Sequence, residues 1–157
     1  MKKVLLILLV LSANCVLIGQ GTIPEPNKRI IAYVSTVIGT QVDRGECWDL
    51  ANQALTRINA KWDHQYKYGK QVDPEHDIIY PGDIIQFKNV KVTYKIGNTI
   101  YKETMAHHTA IVYKVVKKGV YEIAHQNTSA TGRKVGVGKL DLSTVVKGKL
   151  YFYRPVI

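Results

Sequence analysis

Cysteine is scarce in this sequence: the chain of 157 residues contains only two, Cys15 and Cys47. The first lies in an N-terminal segment that we expect to be removed on export, so the mature chain keeps one thiol. A single thiol rules out an intramolecular disulfide framework. A free thiol in an oxidising compartment is at risk of oxidation, and its retention there suggests a chemical use.

Other familiar signals are also missing. The sequence has no H-E-x-x-H run, and the adjacent His107 and His108 cannot both bind a metal from one face of a strand. We therefore predict no metal and no cofactor. It also has no basic stripe with interleaved aromatic residues at the spacing of a known module, so no nucleic-acid partner is expected.

The N-terminus has the pattern of a secretory signal peptide over residues 1–19. Two lysines precede an apolar run, Val4 to Leu11, and small or polar residues follow by Gly19. The run is too short to cross a bilayer comfortably. We predict a secreted or periplasmic protein whose residues 20–157 form a single domain and remain monomeric. A lipoprotein anchored at Cys15 is the alternative, and only then is a membrane partner expected.

Acidic residues are few relative to basic ones. The formal net charge is +10, and removal of Lys2 and Lys3 with the signal peptide lowers it by two. The excess lysines and arginines are scattered along the chain rather than collected in one block. Such a charge favours an anionic partner, which is an acidic cell-wall polymer, a membrane surface or nucleic acid, and a solvated basic surface without a partner is the equally open alternative.

The hydrophobic pattern predicts an α+β fold. Residues 28–38 and 47–60 have the spacing of amphipathic helices, whereas residues 61–78 show no clear period and are predicted to form a loop. From Tyr80 onward alternating runs predict an antiparallel sheet of about five strands, with a hairpin turn at Gly97-Asn98. The N-terminal helices are expected to pack on this sheet.

The stretch "DRGECWDLANQAL" places Cys47 in the first turn of the second predicted helix. Free backbone N–H groups and the positive end of the helix dipole favour thiolate over thiol. We therefore expect the pKa of Cys47 to be lowered and the residue to act as a nucleophile. A cysteine packed inward at a helix start is the plain structural alternative.

A nucleophilic cysteine needs an imidazole base. His64 and His76 lie in the predicted loop, where an idle surface histidine is the ordinary case. His108 opens the apolar run "HTAIVY", and its neighbour His107 points to the opposite face of the same strand. Only one of the two can face Cys47, and we predict that it is His108.

A third polar group orients the base in such sites. In "YEIAHQN", His125 and Asn127 share one face of the strand predicted to pair with that of His108. Polar side chains on an otherwise apolar face are costly unless they are hydrogen-bonded. Either residue is a candidate for the orienting contact to His108.

The motifs "GECWDLANQAL", "YPGDIIQF", "HHTAIVY" and "EIAHQN" together resemble the papain-like cysteine hydrolases of the NlpC and CHAP kind. The resemblance implies Cys47 as nucleophile, His108 as base and His125 or Asn127 as the third residue. Gln41 lies six residues before Cys47, the spacing of the papain-type glutamine that forms the oxyanion hole with the cysteine N–H. The implied activity is amidase or peptidase cleavage of peptidoglycan peptides. The alternative is an inactive module that binds cell-wall polymer on the same fold.

Overall fold

The computed structural model describes residues 21–157. The predicted signal peptide and Cys15 lie outside the described residues. In chain order two α-helices come first and six β-strands follow. The helices are α1 (Glu25–Val37) and α2 (Cys47–Arg57), and the strands are β1 (Lys70–Val72), β2 (Ile84–Ile96), β3 (Thr99–Lys117), β4 (Val120–His125), β5 (Gly136–Asp141) and β6 (Val145–Arg154). A short 3₁₀ helix, Leu142–Thr144, joins β5 to β6. None of the described helices combines the length and apolar composition needed to cross a membrane.

Helix α1 begins three residues earlier than the periodicity predicts. Pro26 lies in its first turn, where a missing N–H costs nothing because that group has no partner within the helix. The helix ends before Gly39, which takes a positive φ of 83°. Ile30 and Val34, one turn apart, are fully buried against the sheet.

The predicted α+β class is confirmed, but the sheet has six strands rather than about five. Their spatial order is β1-β6-β2-β3-β4-β5, and every pairing is antiparallel. Strand β1 lies within the segment predicted as a loop, and β5 alternates poorly because two of its six residues are glycines, so neither strand was predicted.

The sheet divides the interior into two apolar clusters. The helix side packs Leu50 and Leu55 of α2 against Ile84 and Ile111. Successive strand residues point to opposite faces, so their neighbours belong to the other side. The far side contains twelve buried residues, none of them from a helix: Val72, Ile79, Ile85, Phe87, Val90, Val92, Ala110, Val112, Tyr121, Ile123, Leu140 and Phe152.

The β2–β3 hairpin extends beyond the rest of the sheet. Pairing of β2 with β6 stops at Val92–Val145, whereas pairing of β2 with β3 continues to Ile96–Thr99. Gly97, with a φ of 57°, begins the two-residue turn, as predicted. Residues 93–102 are therefore a two-stranded ribbon attached to the sheet at one end.

Candidate active site

Cys47 is the first residue of α2, where the sequence pattern predicted it. The helix start is fixed by Asp49, whose buried carboxylate accepts a hydrogen bond from the Glu46 N–H at 3.0 Å. Arg44 donates to the other oxygen of the same carboxylate at 2.9 Å. Asp49 therefore holds together the turn that directly precedes Cys47 and caps the N-terminus of the helix.

The Cys47 thiol is a half-buried free thiol beside the backbone of Thr109 on β3. Val112 exchanges both of its backbone hydrogen bonds with residues 82 and 83, on the β2 side of β3. Backbone direction alternates along a strand, so the N–H of Thr109 points the other way, toward β4. The β3–β4 ladder ends at Ile111–Ala124, before it reaches this N–H. The thiol therefore lies beside the part of β3 that β4 no longer pairs with.

The electrostatic expectation for Cys47 is wrong in this structure. Burial raises the pKa of the Cys47 thiol, and the backbone N–H groups of Thr109 and Trp48 offset only part of that effect. The negative charge of Glu46 adds to the rise. Because desolvation outweighs the helix N-terminus, the resting residue is a neutral thiol at neutral pH.

His108 and His125 form a hydrogen-bonded pair on the far side of the sheet. The Nε2 atom of His108 lies 3.0 Å from Nδ1 of His125, and the rings meet edge to face. The ring of His108 also packs edge-on against Phe87, whose side chain belongs to the far-side cluster. His108 is only 7% exposed, so this contact satisfies a polar ring in an apolar setting.

Both imidazoles of the pair are neutral at neutral pH. Burial, helped by the nearby charge on His125, lowers the pKa of His108 to about 4. Burial also lowers the pKa of His125, against an opposing attraction from Glu103. A neutral His108 is in the protonation state that a general base requires.

His107 points to the helix side, as expected from its position next to His108. It is exposed, its ring contacts the ring of Tyr66, and its Nδ1 lies 3.3 Å from Nε2 of Gln86. Cys47 forms no side-chain hydrogen bond with a histidine in the described residues. Thr109, whose backbone contacts the Cys47 thiol, directly follows His108 in β3. The His108 ring nevertheless lies on the far side of the sheet, so the expectation that it faces the helix carrying Cys47 is not met, while its role as base stays a prediction.

The structure separates the two candidates for the third residue. His125 contacts His108, whereas the side-chain amide of Asn127 donates to Oε2 of Glu46 at 2.7 Å. Gln41 is exposed, and its amide donates to the carbonyl of Asp43 in its own loop, at 3.0 Å. Its role in the oxyanion hole stays a prediction, as does that of the backbone N–H of Cys47.

Sequence reasoning missed Gln126. This side chain is fully buried and binds the backbone of Val42 and the carbonyl of Glu46, the residue before Cys47. The available signal was a glutamine at the end of an apolar strand, where its burial demands partners. Those partners lie about 80 positions away in the sequence, and spacing alone does not identify them.

A cavity of about 560 Å³ opens on the far side of the sheet and reaches His125. Its lining residues come from the β2–β3 hairpin, from β4 and β5 and from the 3₁₀ helix, and they include two lysines and two acidic residues. The lining residues are Phe87, Val92, Tyr94, Lys95, Ile96, Glu103, Met105, Ile123, His125, Lys139, Leu140, Asp141 and Thr144. The β2–β3 hairpin thus borders the cavity on the side of the sheet where His125 lies. Among residues 21–157, no group of three or more His, Cys, Asp or Glu side chains is arranged to hold a metal ion.

A cysteine at a helix start, packed beside an antiparallel sheet that carries a histidine pair, defines a papain-like cysteine-proteinase fold. The chain belongs to the AIM3/BBC1 cysteine proteinase-fold domain family, whose profile matches residues 27–157. Two crystal structures of Ly7917 are similar to it, one of them with the hydrolyzing product of MDP. Their identities are 16% and 17%, and their TM-scores are 0.49 and 0.52. The alignments cover 81% and 82% of this chain but 62% of the Ly7917 chain. No curated protein matches the chain at a significant level.

Proposed function

We propose that this protein is an exported cysteine hydrolase of the NlpC and CHAP kind, which cleaves amide bonds in peptidoglycan peptides. The observation that carries the proposal is the 3.0 Å hydrogen bond between His108 and His125 beside the backbone amide that contacts Cys47. The cysteine-proteinase fold supports a hydrolase, and the roles of the individual residues are our inference from their geometry.

In the proposed reaction, the sulfur of Cys47 attacks the amide carbonyl carbon and a C–S bond forms. The thiol proton passes to Nδ1 of His108, which forms no hydrogen bond with the described residues. His108 then protonates the leaving amine as the C–N bond breaks, and a thioester remains. Water, deprotonated by His108, hydrolyses the thioester and restores the thiol. The Cys47 N–H stabilises the oxyanion in both halves of the reaction.

The pKa directions decide how the first proton moves. Burial holds the Cys47 thiol above its ordinary pKa of 9.0 and brings His108 to about 4. Complete proton transfer from the thiol to the imidazole before attack is thus unfavourable. Transfer therefore accompanies C–S bond formation, so a preformed thiolate–imidazolium pair is not part of the mechanism.

The substrate class rests on charge and on the cavity. The basic net charge, +10 before the loss of Lys2 and Lys3, favours an acidic polymer. The cavity that reaches His125 is itself balanced, because Glu103 and Asp141 line it together with two lysines. Its volume suits a short peptide with apolar side chains. The Ly7917 structure with the hydrolyzing product of MDP supports hydrolysis by a protein of similar fold.

We propose that the N-terminal segment directs export and that the protein attaches to the membrane only if Cys15 carries a lipid. We also propose that it acts on cell-wall polymer as a monomer.

An inactive wall-binding module is the second candidate. It is favoured by the raised pKa of Cys47 and by the lack, within residues 21–157, of a hydrogen bond from its sulfur to either histidine. A binding module needs the fold and the basic surface but no reactive thiol.

The test is the pH dependence of Cys47 alkylation by iodoacetamide in the mature chain, in His108→Ala and in the matched neighbour variant His107→Ala. General-base assistance predicts a rate plateau between about pH 5 and 8 that is slowed in D₂O, with a further rise where thiolate forms. We expect His108→Ala to lose the plateau and His107→Ala to keep it. Digestion of purified peptidoglycan, with release of free amines, then tests the substrate.

Loss of the plateau in His107→Ala alone would move the base to His107. A wild-type profile without a plateau, unchanged in both variants, would contradict catalysis and favour the binding module. In that case sedimentation with insoluble peptidoglycan is the decisive measurement.

A further inference from the structure

Gln126 joins the segment that carries Cys47 to the strand that carries His125. Its Oε1 accepts from the Val42 N–H at 3.2 Å, and its Nε2 donates to the carbonyls of Val42 and Glu46 at 3.0 and 2.7 Å. One acceptor and two donors are thus satisfied together, so the hydrogen bonds fix the orientation of the amide.

The segment held by Gln126 is a turn that is costly to maintain. Asp43 and Gly45 both have positive φ values, 51° and 83°. Positive φ is unfavourable for a residue with a side chain, so Asp43 needs support from its surroundings. Gln126 bonds to the residues on either side of this turn, Val42 and Glu46, and Cys47 follows directly.

The position of Gln126 also creates the space for the thiol. In the register of β3 and β4, the residue opposite Thr109 would be Gln126, but the β3–β4 ladder ends at Ile111–Ala124. The side chain of Gln126 instead turns to the Val42–Glu46 segment. Cys47 occupies the neighbourhood of the Thr109 N–H that a continuing β4 would have paired.

We propose that Gln126 is a positioning residue that sets the distance between Cys47 and the His108–His125 pair. The inference rests on the proposed function, because it assigns the positioning to a general-base reaction. Gln126 touches no substrate and acts through its bonds to the residue before the nucleophile, while its own backbone continues from His125. A displacement of about 1 Å at a reacting atom is enough to lower a rate by up to about a hundredfold.

Two variants separate positioning from simple loss of packing. Gln126→Met keeps the length of the side chain and removes all three hydrogen bonds. Gln126→Glu keeps the shape and can accept from the Val42 N–H, but its carboxylate cannot donate to either carbonyl. The control is Asn27→Leu, which removes another fully buried amide, one that binds Pro81 and Asp83.

The measurement is the plateau rate of Cys47 alkylation in each variant, alone and combined with His108→Ala, at a temperature where circular dichroism shows all of them folded. We expect Gln126→Met and Gln126→Glu to lower the plateau at least about tenfold, and to add nothing further once His108 is absent. The Asn27→Leu variant should melt at a lower temperature yet keep the wild-type plateau.

The outcomes distinguish the two proposals. A Gln126 variant with the wild-type plateau, or with the same loss whether or not His108 is present, overturns the positioning role and leaves the proposed function intact. A plateau in the parent chain that survives His108→Ala overturns the general-base function, and the positioning role falls with it.

Discussion

The Nε2 atom of His108 and the Nδ1 atom of His125 share one hydrogen bond of 3.0 Å, so one ring must donate and the other accept. If His108 donates from Nε2, its Nδ1 carries the lone pair that a base needs. If His125 donates instead, Nδ1 of His108 must carry the proton in the neutral ring, and no base is available. The proposed function therefore requires the first tautomer, which ¹⁵N chemical shifts of the two rings identify.

Acid should destabilise the protein through His108. Its pKa is about 4 in the folded chain against an ordinary value of 6.5, so the unfolded chain binds the proton first as the pH falls. The free energy of unfolding should then decrease between pH 6.5 and 4, by on the order of 3 kcal/mol in total. Urea denaturation across this range measures the slope, which His108→Gln should reduce.

The exposed His76 provides the control for that experiment. Its hydrogen bond to Asp73 raises its pKa, so its contribution to stability is present at low pH and is lost as the pH rises. The His76→Gln variant should therefore not diminish the acid loss. Equal acid slopes in the parent chain and in His108→Gln would contradict the assignment to the buried ring.

The third residue of the site should be His125 rather than Asn127. The His125→Ala variant removes the group that holds His108, and we expect the plateau rate of Cys47 alkylation to fall at least about tenfold. The Asn127→Ala variant removes only an exposed contact to Glu46, so its rate should stay within about threefold of the parent. The reverse order of effects would assign the orienting role to Asn127.

Gly138 on β5 leaves room for His125. A Cβ at this position would lie 3.0 Å from the ring Nε2, closer than ordinary van der Waals contact. We expect Gly138→Ala to push the ring, weaken its bond to His108 and change the ring ¹⁵N shifts, with little loss of stability. The neighbouring Val137→Ala, at an exposed position, should leave those shifts unchanged.

Asp83, the acidic residue of the "PGD" turn, should be essential for stability. Its buried carboxylate accepts from Asn27, from Arg154 and from the N–H of Tyr80. The Asp83→Ala variant removes the only carboxylate that Arg154 contacts among the described residues, and we expect a loss of about 3–5 kcal/mol in urea denaturation.

The exposed pair Lys114–Glu122 is the comparison for Asp83, and Lys114→Ala should cost no more than about 1 kcal/mol. Similar losses in Asp83→Ala and Lys114→Ala would show that burial does not strengthen the Asp83 contacts.

The features that the sequence predicted correctly depend on local patterns. The helix start at Cys47, the turn at Gly97 and the placement of His107 and His108 on opposite faces all follow from periods of 3.6 or 2 residues or from turn chemistry. Three-dimensional burial decides the features that were missed. The pKa of Cys47 rises because β3 and the neighbouring side chains desolvate the thiol, and the helix N-terminus that the sequence emphasises is the weaker effect.

The sequence also does not show which groups bind the side chains of Gln41 and Gln126. Gln41 has the papain-type spacing, but its amide finds a carbonyl two residues away in its own turn. Gln126 has no recognisable motif, yet it binds backbone groups 80 and 84 positions earlier in the chain. Long-range contacts of this kind depend on where β4 ends, which no local pattern in the sequence encodes.

The β2–β3 hairpin has a consequence for how this scaffold can diversify. Beyond Val92 its strands pair only with each other, yet Tyr94, Ile96 and Glu103 form one wall of the cavity at His125. Insertions or substitutions near Gly97 can therefore reshape that wall while the ladder that holds His108 stays intact. Under the proposed function, the wall that would contact the substrate and the histidine that would act as base lie on separable parts of one hairpin, so each can change without the other.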